Sequence, residues 1–390
     1  MAAQTDSNIL IIGAGTWGCS VALKLTRCGH TNIKVLGGSS FPSAISAGND
    51  LNKIGEEANE PSQYDPMMTT SGIVDNAYQR CVEYAEGEDV QLVALKTKED
   101  FQKTMPEGVL QGDFPGWQGF WKQAGAGWVF ASGTLKAMHA GAVELRVQLV
   151  TGDREGRVET LLYSNSKAVV GARTADGNQL RPTARALAHI PLSEKEAALY
   201  KNLPVLYGVD RDFFIEPDAA KHRMKLCDEH PGYIDPVIEN GKFCSVPFAR
   251  HQIPVEAEAR MRLLLRETMS QLAEREFSFA RMCWDADTVD RRFLIDKHSD
   301  IENLIVAVGG SGNEFMICPA IGVLVADILE PKGEIEERIK MMLRWRPETA
   351  VGRDWWHSQG RYGADGKVMD LRDVKEWTKT GLSRSSTGPE

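Results

Sequence analysis

The feature that most constrains this chain lies near its amino terminus. Gly13-Ala14-Gly15-Thr16-Trp17-Gly18 follows the apolar run ILII and precedes CSVALKLTRCG. The spacing predicts a strand over 8–12, a helix with apolar residues at helical intervals that ends by Gly29, and a second buried strand over 32–36. Such a β-turn-α-β unit opens a doubly wound fold. Each glycine serves a different purpose. Gly13 makes the tight turn, Gly15 lets backbone approach a pyrophosphate, and Gly18 lets helix and strand pack closely. The helix N-terminus attracts the phosphates. A glycine turn that binds nothing is the competing reading.

With 390 residues the chain is long enough for two lobes with cores of their own. Its net charge of −9 and lack of a long basic run argue against nucleic acid and anionic membranes. Seven scattered cysteines, an odd number with no C-x-x-C pair, argue against a disulfide framework or a zinc site. A reducing compartment, the cytoplasm, is expected, since MAAQTDSN has no basic leader region and SSTGPE is no peroxisomal address.

Two further stretches bear on the nucleotide. The second strand of such a unit usually ends in an acid that grips a ribose; here it ends in Gly37-Gly38, with only the hydroxyls of Ser39 and Ser40 nearby. Far along the chain, NLIVAV runs into GGSGNEF and the apolar stretch PAIGVLVADILE. A second glycine turn opening a helix, whose N-terminus favours negative charge on a flavin carbonyl, points to FAD over a nicotinamide cofactor. An ordinary buried strand–helix pair is the alternative. Strands are also expected over 91–95, 158–163 and 168–173, the last followed by the turn TADGN. A polar connection is expected over 55–70, an amphipathic helix over 256–273, and an ordered loop in the Trp- and Arg-rich tail after Arg344.

Several longer motifs are more specific: PSAISAGND with NK after it, PEGVLQGDFPGW, GAGW, QLRPTA, ALYKN, CDEHPGY, the CW-x-ADT segment with FLID, and GRYGADGKVMDLRDVKEW. With GAGTWG they resemble, over nearly the whole chain, the fungal fructosyl amino acid oxidases (amadoriases) of the sarcosine oxidase-like FAD amine oxidases. The resemblance implies an α/β chain: a GR2-type Rossmann-like FAD-binding domain (1–54, 151–180, 281–345), an α+β substrate domain with an antiparallel sheet (55–150, 181–280), and a packed tail (346–390). It implies oxidation of a secondary amine by FAD, reoxidation by oxygen to peroxide, a small-molecule substrate, no metal, and a monomer.

The same resemblance implies roles for single residues. Lys53 would stand beside flavin and substrate, and Lys225 would activate oxygen. Glu229 would contact the substrate amine or sugar, and Arg361 would bind its carboxylate. Cys283 would carry the flavin covalently. Gly13, Ala14, Gly15, Thr16, Trp17, Gly18, Ser43, Ser46, Lys53, Gly310, Ser311 and Gly312 would surround the cofactor. Each has a plainer reading: surface lysines, a turn acid at Glu229, an Arg361 paired with Asp365 or Asp370, and a small buried thiol at Cys283.

The chain departs from the family pattern in several places. VLGG replaces VLDP at Gly37. Met316 stands where a lysine helps hold the substrate carboxylate, Glu314 where a glycine stands, and Asp285 where a second cysteine is common. Two segments are shorter, one after NKI and one between TADG and QLRPTA. Two hypotheses follow: an FAD amine oxidase with a substrate other than a plain fructosyl amino acid, or a descendant that binds or transforms a ligand without redox chemistry. A simple NAD dehydrogenase fits less well, because Gly37 is equally wrong for NAD.

Overall fold

The computed structural model describes residues 4–56, 92–122, 126–152, 154–158, 160–163, 169–172, 180–203, 205–207, 213–218, 221–239, 242–331, 335–358 and 366–379. Strand β1 (Ile9–Ile12), helix α1 (Thr16–Arg27) and strand β2 (Ile33–Gly37) form the expected opening unit, with β1 and β2 parallel. Helix α1 ends where its geometry demands. Gly29 follows with φ of +98°, the left-handed conformation that stops a helix.

Strand β3 (Lys53–Glu56) pairs antiparallel with β4 (Ala126–Val129). Gly55 and Glu56 are thus strand residues; the rest of the expected connection over 55–70 lies outside the described residues. Helix α2 (Ala131–Glu144) leads to β5 (Gln148–Thr151), which adds parallel to β2 and makes the sheet order β1-β2-β5. Residues 160–163 and 169–172 pair antiparallel, as the strand patterns suggest. TADGN lies outside the described residues.

The larger sheet is antiparallel. Its middle is β6 (Arg181–Pro191), flanked by β7 (Arg223–Ile234) and, after helix α3 (Val255–Thr268), by β8 (Phe279–Asp287). Helix α3 stops at Thr268 and gives way to a 3-10 turn, Ser270–Leu272, so the amphipathic segment is two pieces. Strand β9 (Leu294–Lys297) pairs antiparallel with β10 (Ile305–Val308), and helix α4 (Cys318–Leu329) follows. The late glycine turn does not open α4 directly: turns fill 311–317, and the helix begins only after Ile317.

Two large apolar clusters, with a small third, hold the described residues of this α/β chain together. In one, Val21 and Leu25 of α1 meet Ile33 and Val35 of β2 and Ile321 and Val325 of α4. The other packs Ala184, Ala186, Ala188 and Ile190 of β6, Met224 and Leu226 of β7, and Met282 and Trp284 of β8 against Met261, Leu264 and Leu265 of α3. Described parts of the tail contact the body. Met369–Asp370 pairs with β7, Thr378 donates its N–H to the Ile253 carbonyl, and Arg250 stacks 3.5 Å from the Trp377 ring centre. No helix among the described residues is long and apolar enough to cross a membrane.

Candidate active site

The turn between β1 and α1 forms a backbone cradle. Gly13 has φ of +110°, and its N–H is fixed by the Leu36 carbonyl at 2.7 Å. A Cβ at Gly13 or Gly15 would meet nothing within 4 Å, so backbone alone faces that space. A Cβ at Gly18 would lie 1.8 Å from the Gly13 carbonyl oxygen, so only glycine fits there. Gly15 caps α1 with no side-chain hydrogen bond, which leaves the first N–H groups of the helix for an anion. The turn therefore fits the pyrophosphate of FAD. Trp17 Nε1–H donates to the Glu314 carbonyl at 2.9 Å, which draws the late turn, with Gly310, Ser311, Gly312 and Met316 close by in sequence, onto this helix end.

A segment from Pro42 to Lys53 brings chemistry to the cradle. A Cβ at Gly48 would lie 2.2 Å from Thr16 Oγ1, so the segment rests on the start of α1. Ser43 and Ser46 shape it: the Ser46 N–H donates to the Ser43 carbonyl at 3.1 Å, and the Ser46 hydroxyl accepts from the Gly48 N–H at 3.2 Å.

Alternation along the large sheet supplies the other wall. Successive side chains of a strand point to opposite faces. The alanines, Ile190, Met224, Leu226, Met282 and Trp284 take the core face. The other face carries Arg181, Thr183, Arg185, Leu187 and His189 of β6, Lys225 and Cys227 of β7, and Arg281, Cys283, Asp285 and Asp287 of β8. Register sets Arg185 opposite Cys283, Leu187 opposite Cys227 and Arg281, and His189 opposite Lys225 and Phe279. Most of these polar residues are buried, Lys225 to 1% exposure. Buried charge must be paired or bonded, and the partners of Lys225 and Arg281 lie on the Pro42–Lys53 segment. Arg281 donates to the carbonyls of Ala44 at 2.7 Å, Ser46 at 3.4 Å and Asn49 at 2.8 Å.

The centre of the site is a residue that the motifs did not single out. Asp50 is buried, and one carboxylate oxygen lies 2.7 Å from Lys225 Nζ and 2.9 Å from Lys53 Nζ. Its other oxygen accepts from the Leu51 N–H at 2.8 Å, and Lys225 also donates to the Asn52 carbonyl at 2.8 Å. Burial alone would raise the Asp50 carboxyl, but the charges of Lys225, Lys53 and Arg281 outweigh it and hold it well below the usual carboxylate range. Burial would lower the Lys53 ammonium, but Asp50 outweighs that and raises it well above its ordinary value. Lys225 is sealed, whereas Lys53 keeps 21% of its side chain exposed. Lys53 is thus the member of the bridge that can meet a ligand.

Cys283 packs with Leu187 and Cys227, beside Ala47 and Trp128. Burial raises its thiol, and the neighbouring Lys53 and Arg281 pull the other way. His189 stacks on Phe279 with ring centres 4.9 Å apart, and burial pushes its imidazole down to about 3, so it is neutral. At the far end of the face Thr183 donates to Asp287 at 2.8 Å, with Arg181 at 3.5 Å and Arg185 at 3.7 Å. Arg181 also donates to the carbonyls of Trp355 and His357, and the Ser358 N–H donates to the Gly366 carbonyl at 2.8 Å. This pins both ends of the segment that contains Arg361; Arg361 itself, with Asp365, lies outside the described residues. Glu229 falls within the span of β7, in the irregular stretch between Asp228 and Tyr233 where the pairing with β6 shifts register.

A family model for FAD dependent oxidoreductases matches residues 53–328. The fold superposes on the deglycating enzyme fructosamine oxidase (Amadoriase II) of Aspergillus fumigatus, solved in complex with FSA, with a TM-score of 0.86 and 42% identity over 97% of this chain and 98% of that one. It also superposes on fructosyl peptide oxidase from E. terrenum, with a TM-score of 0.81 and 26% identity over 97% and 99%. L-saccharopine oxidase of Schizosaccharomyces pombe is 27% identical over 415 residues, covering 89% of this chain and 95% of its own.

Proposed function

This chain belongs to the FAD dependent oxidoreductase family, and from that premise we propose that it is an oxidase of secondary amines, acting on N-substituted amino acids. FAD held by the Gly13–Gly18 turn would supply a two-electron acceptor for the C–H bond beside the amine nitrogen, with oxygen as the final acceptor.

The chain's own residues bind the cofactor, hold charge and orient the substrate. The backbone from Gly13 to Gly18 holds the pyrophosphate. Lys53 and Lys225 keep two positive charges in a site shielded from water, where fixed charge stabilises negative charge that develops on electron transfer. Asp50 holds both ammonium groups in place and keeps that of Lys53 protonated. Glu229 is assigned to the substrate amine or sugar, and Arg361, whose planar fork suits a carboxylate, to the acid end. Cys283 is assigned as a covalent tether.

Met316 gives this substrate reading its particular shape. An apolar thioether cannot pair with a carboxylate, so Arg361 holds the acid end without a second cation at that position. The substrate class is therefore taken to differ from plain fructosyl amino acids at the carboxylate end. It extends to amines of the kinds named for the relatives, glycated amines and saccharopine. The observation that carries the proposal is the bridge Lys53–Asp50–Lys225, on the segment whose Gly48 rests on Thr16 at the start of α1.

The test is the visible spectrum of the purified protein before and after acid precipitation. A yellow protein that releases peroxide with a glycated amino acid, saccharopine or sarcosine is expected, with the colour kept in the pellet if Cys283 is bonded. A protein that stays colourless after incubation with FAD sinks the proposal.

A further inference from the structure

The missing acid at the end of β2 has a structural counterpart. A Cβ on Gly37 would lie 2.8 Å from Ala14 Cβ and 3.3 Å from Thr151 Cγ2, so a longer side chain would have to displace the glycine turn or β5. The space beside this strand end is taken by the turn that follows β5. The Gly152 N–H is shared between the carbonyls of Gly37 at 3.0 Å and Ser39 at 3.1 Å. The turn then closes on itself, with the Gly156 N–H donating to the Gly152 carbonyl at 3.1 Å. A Cβ at Gly156 would lie 2.2 Å from the Gly37 oxygen, so the turn sits this close only because residue 156 is glycine.

The residue after that glycine is Arg157. Its Cα and Cγ lie 3.4 Å, and its Cβ 3.5 Å, from the place a Gly38 Cβ would take. Its stem thus lies along the residue that follows the usual acid position, and the side chain is exposed. In this type of fold the dinucleotide runs from the glycine turn toward the end of the second strand. Here Ala14 of the turn touches Gly37, so Arg157 stands one residue beyond the phosphate cradle.

We propose that Arg157 holds the adenosine half of FAD in place of the strand-end acid. The exchange of charge is chemically permitted. Ribose hydroxyls donate to a carboxylate, but they also accept from a guanidinium. The guanidinium plane stacks on an aromatic face such as adenine, and its positive charge adds to the attraction for the pyrophosphate. This inference rests on the FAD reading above and names a residue for it.

The test is flavin binding by the full-length apoprotein in a Cys283→Ala background, where no tether can form, read by quenching of flavin fluorescence. Arg157→Ala is expected to weaken FAD binding about tenfold, since a stacked or bonded guanidinium contributes on the order of 1–2 kcal/mol. Arg157→Glu weakens it further and Arg157→Lys less. FMN lacks the adenosine, so its affinity stays within about twofold of the parent. The apoprotein melting temperature is also unchanged. Unaltered FAD affinity in Arg157→Ala and Arg157→Glu would overturn the proposal, as would an equal loss for FAD and FMN. A parent protein that binds no FAD would overturn the functional reading itself and this inference with it.

Discussion

Asp50 decides more about this site than either lysine it holds. One carboxylate oxygen serves two ammonium groups, and Arg281 adds a third positive charge nearby. The residue stands inside PSAISAGND, yet nothing local marks it: its partner Lys225 is far away in the chain, and an acid before a Leu-Asn-Lys run reads as surface. Removing the charge leaves buried cations facing one another, so Asp50→Asn is expected to cost about 3–5 kcal/mol. The pH dependence follows from the two shifts. The depressed Asp50 carboxyl contributes stability that is complete above the free value of about 3.9 and is lost as pH falls through its lower folded value. The raised Lys53 ammonium contributes stability that is complete below about 10.4 and is lost as pH climbs through its higher folded value. Melting curves should therefore show a wild-type advantage that is level from about pH 5 to pH 9 and narrows under acid below about pH 4. An advantage that swings across neutral pH would show that other groups control it. Met316→Lys is a second test at this scale. A restored cation is expected to lower KM several-fold for substrates with a free carboxylate and to leave kcat nearly unchanged, as uniform binding does. No KM change, or an equal change for an amine without a carboxylate, would remove Met316 from the acid end.

At the scale of elements, the opening β-α-β unit was legible because its signals are local: an apolar run, three spaced glycines and a helical period. The polar wall was not. Strand β6 reads RPTARALAHIP, a clean alternation that predicts one buried face and one wet face. Burial instead covers nearly the whole strand, because the Pro42–Lys53 segment and the tail lie over the polar face. Period alone cannot separate water from a second layer of protein. The late glycine turn shows the same limit: the glycines mark a turn, but the start of α4 is set by Ile317 and Cys318 farther on. The tightest element-scale constraint is Gly18. A Cβ there would sit 1.8 Å from a backbone oxygen, which has no rotamer to escape by. Gly18→Ala is expected to push α1 off β1, lower the melting temperature and abolish flavin retention. A yellow Gly18→Ala protein with unchanged stability would show that the turn has slack.

At the scale of the whole molecule, the site has a small apolar cluster of its own, Leu187, Cys227 and Cys283, separate from two larger ones. One forms around α1, β2 and α4, the other beneath β6, β7 and β8. Polar contacts tie the large sheet to the segment that leaves β2, and Arg281 makes three: from β8 it holds the carbonyls of Ala44, Ser46 and Asn49. Hydrogen bonds from a charged donor contribute about 1.5–3 kcal/mol each, and a buried carbonyl left without a donor costs about 1–3 kcal/mol. Truncation at Arg281 therefore falls on the junction more than on either cluster. Arg281→Ala is expected to lose several kcal/mol, on the order of two such bonds. It should also loosen the cooperativity of unfolding, because each cluster keeps its own apolar packing. Scanning calorimetry on the holoprotein tests this. A single sharp wild-type transition should broaden or split in the variant. A variant that melts in one transition, simply shifted down, would place Arg281 within one cooperative unit and show that the junction is no weaker than the cores it joins.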